Sequence, residues 1–215
     1  MKILAVIFDM DGLLLDSEVY WERARTEYCS SIDCTWRPED ELTVKGHNSV
    51  EWATVIRDQC GTDESIERII AGVTDRMRVL YAEHLPLLPG AVSAVRALAA
   101  DYPLAIASSS PLEIIDFAMR KAELRECFDV VVSSDDVGKG KPDPAVFLEA
   151  GRRLSVAPPQ IAVFEDSSSG VTAARRAGTF VIAVPNPHYP PSEEALSSAD
   201  LVLAGLNDFY KDMLP

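Results

Sequence analysis

Two aspartates one residue apart, Asp9 and Asp11, follow an unbroken apolar run from Ile3 to Phe8, and Gly12 comes directly after them. Three later apolar runs also stop at polar groups. Leu104-Ala105-Ile106-Ala107 ends in Ser108, Ser109 and Ser110; Val130-Val131-Val132 leads to a loop holding Lys139 and Lys141; Ile161-Ala162-Val163-Phe164 ends in Glu165 and Asp166. Together these supply a carboxylate nucleophile, acids for a divalent cation, and hydroxyl and ammonium donors for phosphate oxygens. That is the set phosphoryl transfer requires. Mg²⁺ favours a few carboxylates plus water, which suits acids converging from two strand ends. Ser108, placed before a helix, is a candidate phosphate ligand. Lys141 is a candidate because Pro142 fixes the backbone beside it, whereas Lys139 reads as solvated.

These residues are far apart in the chain, so a fold must bring them together. An apolar run without polar alternation reads as a strand buried on both faces. From about residue 86 such runs alternate with helical patterns: Ala91 to Ala100, Pro111 to Leu124 with Ser110 as cap, Asp143 to Leu154, and Ser169 to Gly178. Strands at Val181–Val184 and Leu201–Leu203 complete the pattern. The expected fold class is α/β, a doubly wound, Rossmann-like parallel sheet. In such a sheet the strand carboxyl ends share one edge, where ligands bind.

Residues 16–85 contain no strand-like run. A helix from Glu18 to about Ser30 is capped by Ser17, a second starts at Asn48 or Ser49 and stops at Gly61, and a third runs from about Asp63 to His84. The expected organisation is a core of residues 1–15 and 86–215 with an all-helical cap domain, 16–85, inserted after the first strand. The segment Leu85 to Gly90, LPLLPG, marks the return.

Composition narrows the partners. The 215 residues are 47% hydrophobic and 25% charged, as for a globular chain. A formal net charge of −14 argues against nucleic acid or an anionic membrane as partner. An anionic substrate would need local cations. The four cysteines show neither C-x-x-C spacing nor a histidine cluster, so reduced thiols are expected. No stretch reads as a signal or membrane-spanning segment, and the expected location is the cytoplasm.

With these residues in view, the chain resembles the haloacid dehalogenase superfamily of phosphotransferases over nearly its whole length. Four motifs carry the resemblance in order: D-M-D-G (Asp9 to Gly12), I-A-S-S-S with Ser108, G-K-P-D-P with Lys141, and F-E-D-S with Glu165 and Asp166. The helical insertion is similar to the cap of the subgroup that includes β-phosphoglucomutase and sugar-phosphate phosphatases. The resemblance implies that Asp9 is the nucleophile and forms an aspartyl-phosphate. Asp11 would protonate the leaving alcohol and then activate water. It implies Mg²⁺ on Asp9, the Asp11 carbonyl, Asp166 and Glu165. Ser108, Ser109 and Lys141 would hold the phosphoryl oxygens, and Trp21, Lys45, Gly46, His47 and Ser110 would face the substrate.

The expected activity is hydrolysis of small phosphomonoesters: sugar, polyol or nucleoside phosphates. The mutase of the subgroup has a histidine where this chain has Trp21, an arginine in the cap loop that here reads His47-Asn48-Ser49, and a lysine where this chain has Pro111. A phosphosugar mutase is the alternative, and a non-enzymatic phospho-acceptor module a more distant one. The expected partner is a small phosphorylated metabolite and the expected form a monomer, with a dimer as the other option.

Overall fold

The computed structural model describes residues 2–215. The first strand, β1 (Ala5–Phe8), is followed by four helices: α1 (Glu18–Ser30), α2 (Pro38–Thr43), α3 (Ser49–Cys60) and α4 (Ile66–Glu83). Strands and helices then alternate through α5 (Ala91–Ala99), β2 (Leu104–Ser108), α6 (Leu112–Lys121), β3 (Val130–Ser133), α7 (Ser134–Val137) and α8 (Ala145–Leu154). The chain finishes with β4 (Ile161–Glu165), α9 (Ser168–Ala177), β5 (Phe180–Ala183), α10 (Glu193–Ser198) and β6 (Leu201–Val202), apart from short 3-10 turns.

The six strands form one sheet in the order β3-β2-β1-β4-β5-β6, with every neighbouring pair parallel. All four residues of β1 are buried, because helices cover both faces. Ala5 and Ile7 enter one core, with Phe147 of α8 and Val171 of α9. Val6 and Phe8 enter the other, with Ile115 of α6 and Val95 of α5. The chain winds in opposite directions from β1, so the crevice beyond β1 and β4 is the topological switch point of the sheet.

The helical stretch leaves and returns side by side. Leu15 bridges Leu87 in antiparallel fashion, and the Asp16 amide donates to the Pro86 carbonyl. Within it, α1 and α3 pack on α4 through a stripe of Ile69, Val73, Met77 and Tyr81.

Three local expectations need correction. Ser17 occupies the N-cap position of α1 but its hydroxyl makes no cap, and Ser110 precedes Pro111, which takes the N-cap position of α6 without a side-chain cap. Both hydroxyls instead donate to the Asp11 carboxyl, on the cleft side of their helices. The cysteines are not all thiols. Cys34 and Cys60 form a disulfide, leaving Cys29 and Cys127 free. The segment after α1 and the end of α3 are 26 residues apart and are neighbours only because both helices dock on α4, which spacing cannot reveal. With a disulfide present, thiol usage no longer argues for a reducing compartment. Among the described residues no helix is long and apolar enough to cross a membrane.

Candidate active site

Asp9 stands one residue beyond β1, its amide held by the Phe164 carbonyl of β4, and the residue is 6% exposed. Its Oδ1 lies 2.8 Å from Lys141 Nζ, which lies 2.5 Å from Glu165 Oε1. Lys141 is itself buried, between the two acids and above the Phe147 ring. Burial pulls its ammonium down, but Asp9 and Glu165 together overcome this and hold it above the ordinary lysine range. The opposite balance holds at Asp9. Burial pushes its carboxyl up to about 8; Lys141 opposes this, and Glu165 and Asp11 add to it.

Glu165 closes the last turn of β4 beneath the N-terminus of α9. Its second oxygen accepts from the Asp166 amide, the Ser167 amide and the Ser167 hydroxyl. Gly170 makes this possible: a Cβ there would come within 1.8 Å of the carboxylate. Glu165 is therefore the anchor that fixes Lys141.

Asp166 is different. It is buried and its Oδ1 has no hydrogen-bond partner. Burial, then Glu165 and Asp9, raise its carboxyl well above the usual range. Asp9, Glu165 and Asp166 each offer an oxygen within 4.8 Å of the others. An orphaned buried carboxylate oxygen in a cluster of three acids fits a hard divalent cation. The chain turns tightly beneath it at Gly12, where φ is +80° and a Cβ would lie 2.1 Å from Asp166 Oδ2. Gly12→Ala is expected to push that carboxylate aside and weaken divalent-cation binding about 10–100-fold, read by isothermal titration. Unchanged affinity would show that Asp166 takes no part in holding the ion.

Asp11 accepts four hydrogen bonds. Its Oδ1 takes the Ser17 hydroxyl at 2.7 Å and Trp21 Nε1 at 2.9 Å; its Oδ2 takes Ser108 at 3.1 Å and Ser110 at 2.7 Å. The aim of this carboxylate thus depends on α1, which supplies Trp21. Ser108 is fully buried, its hydroxyl given to Asp11, and Ser109 donates to the Gly46 carbonyl.

Asp9, Asp11, Lys141 and Asp166 line a cleft of about 430 Å³ between the sheet edge and the helical stretch. Trp21, Lys45, Gly46, His47, Ser109 and Ser110 line it too, whereas Ser108 and Glu165 lie behind its wall. Lys45 Nζ sits 3.3 Å from Glu18 and 3.4 Å from the centre of the Tyr189 ring. Burial, opposed by Lys45, raises the Glu18 carboxyl. Residues not anticipated from sequence also face the cleft: Arg25, Glu41, Trp52 and Tyr189. Only Arg25 carried a signal, standing four residues after Trp21 on the same helical face.

Sheet order, strand-end acids and a buried lysine define a phosphotransfer-type α/β protein, and comparison with known proteins agrees. Residues 6–184 match the haloacid dehalogenase-like hydrolase family, and the chain belongs to it. Hexitol phosphatase B of Escherichia coli K12 is 35% identical over 222 residues, covering 99% of this chain and 97% of that protein. A bifunctional riboflavin kinase/FMN phosphatase of Arabidopsis thaliana is also 35% identical, but the chain spans only 53% of its length and is matched over 94% of its own. Among solved structures, CbbY from Rhodobacter sphaeroides, in complex with phosphate, superposes with a TM-score of 0.86 at 29% identity, over 96% of each chain.

Proposed function

We propose that this protein is a Mg²⁺-dependent phosphatase of small phosphomonoesters, with residues 16–85 acting as a cap over a core of 1–15 and 86–215. The observation that carries the reading is the pairing at the end of β1. Asp9 is held by a buried ammonium, and Asp11 stands two residues away in a separate hydrogen-bonded setting. One acid is placed to attack phosphorus and the other to move a proton.

In this reading an Asp9 oxygen forms a bond to phosphorus as the ester oxygen leaves, and Asp11 supplies the proton that makes the leaving group an alcohol. Asp11, now a base, takes a proton from water as it attacks the aspartyl-phosphate. Inorganic phosphate leaves and Asp9 is restored. Lys141 neutralises Asp9 and the phosphoryl oxygens from behind. Asp9 and Asp166, with Glu165 beside them, would hold the cation, which when bound supplies charge neutralisation at the phosphate. The Trp21 indole keeps Asp11 aimed into the cleft from the cap side.

Hydrolysis is favoured over mutase chemistry by the cations. A mutase grips a bisphosphate at both ends, but Lys45 is paired with Glu18 and Arg25 with Glu41. The relatives named above as phosphatases support the same choice. A panel of sugar, polyol and nucleoside phosphates should release inorganic phosphate with Mg²⁺ and not with chelator. Mg²⁺ should also raise Tm, and Asp166→Asn should remove that rise. Isomerisation of a hexose 1-phosphate in the presence of its bisphosphate, without net phosphate release, would overturn the assignment.

A further inference from the structure

The cap end of the cleft holds a buried charge pair that the chemistry above does not use. Arg25 Nη1 donates to Glu41 Oε1, and both residues are more than nine-tenths buried. The guanidinium stands against a pair of indoles, 5.2 Å from the Trp21 centroid and 5.5 Å from that of Trp52, which are themselves 6.5 Å apart. Trp36 Nε1 donates to the other Glu41 oxygen at 2.9 Å. Even so, the pair is incomplete. Arg25 Nε is buried without a partner, and so is His47 Nδ1 on the same cleft wall.

A buried ion pair is a poor source of stability, since desolvation offsets most of the attraction. Leaving a buried donor unpaired costs more still. Such an arrangement in the wall of a cleft is better explained by a ligand that completes it. Arg25 is one helical turn, about 5.4 Å, beyond Trp21, whose indole binds Asp11. A substrate whose ester oxygen lies at Asp11 therefore extends along α1 toward Arg25.

We propose that Arg25 and Glu41 are specificity-determining residues that read hydroxyl groups on the organic part of the substrate, so that this protein selects polyhydroxylated phosphomonoesters over simple alkyl ones. The inference rests on the phosphatase reading and deepens it. The pair offers donors and acceptors side by side but no net charge, which suits hydroxyls, each both donor and acceptor. A second phosphate or carboxylate would meet Glu41 and Glu18, whose charges already match the nearby cations. The Trp21 and Trp52 rings both contact the guanidinium, whose planar fork a lysine does not have.

The test compares kcat/KM for a polyol phosphate with kcat/KM for the n-alkyl phosphate of the same carbon number. The double variant R25M/E41M removes the pair together, avoiding an orphaned charge, and R25K keeps the charge but loses the planar fork. Circular dichroism and Tm confirm folding. The wild-type preference for the polyol ester is expected to fall at least about tenfold in R25M/E41M, with KM carrying most of the change, and by less in R25K. A polyol-to-alkyl ratio equal in wild type and both variants overturns this inference alone. No phosphate release from either ester by the wild type with Mg²⁺ overturns the phosphatase reading, and this inference with it.

Discussion

Asp9→Asn is expected to lower phosphate release by about 10⁵-fold or more, the scale on which loss of a catalytic nucleophile is felt, while the fold survives. The amide keeps an oxygen for Lys141, 2.8 Å away in the native protein, but offers no nucleophile. Stability should change in a direction that sets this variant apart from a damaged one. Without a bound cation, burial holds the Asp9 carboxyl at about 8, far above its ordinary 3.8, so the cation-free folded state carries an extra proton between those values. With the folded pKa raised, Asp9 contributes stability that is fully present below about pH 4 and lost as pH rises through about 8. In chelator, Tm of the wild type should therefore decline from pH 4.5 to 8.5 more steeply than Tm of the variant. Rapid phosphate release by Asp9→Asn would contradict the nucleophile role, and identical slopes would contradict the raised carboxyl.

Lys141→Met should damage both activity and stability. Its ammonium is the buried counter-charge shared by Asp9 and Glu165. Removing one partner of a buried pair costs about 3–5 kcal/mol. In a chain of this size that lowers Tm by about 6–20 °C. Turnover should fall at least about 10²–10³-fold, as when a single preorganised donor to a developing charge is lost. The double variant K141M/E165Q separates the two effects. Removing the Glu165 charge should restore much of the Tm and none of the activity. Recovery of turnover in the double variant would mean that Lys141 only balances Glu165.

Legibility from sequence differed between backbone and side chain. Strand ends were readable at Asp9, Ser108 and Asp166 because an all-apolar run stops where the sheet stops. Helix α3 was readable from Asn48 at its start and Gly61, φ +58°, at its end. Helices α2, α7 and α10 were missed; they are four to six residues long, too short to show a helical period.

Within the site, the sequence by itself determined which groups stand at the sheet edge and in what order, because strand and helix patterning is local and the parallel sheet aligns the strand ends. Only the tertiary structure decided what each group touches. Ser17 and Ser110 serve Asp11 instead of helix ends, Glu165 secures Lys141 from beneath, Cys34 meets Cys60, and Arg25 meets Glu41 beside Trp21 and Trp52. Each of these partners is brought in by another element, and the balance of burial and charge that selects it exists only once those elements have packed.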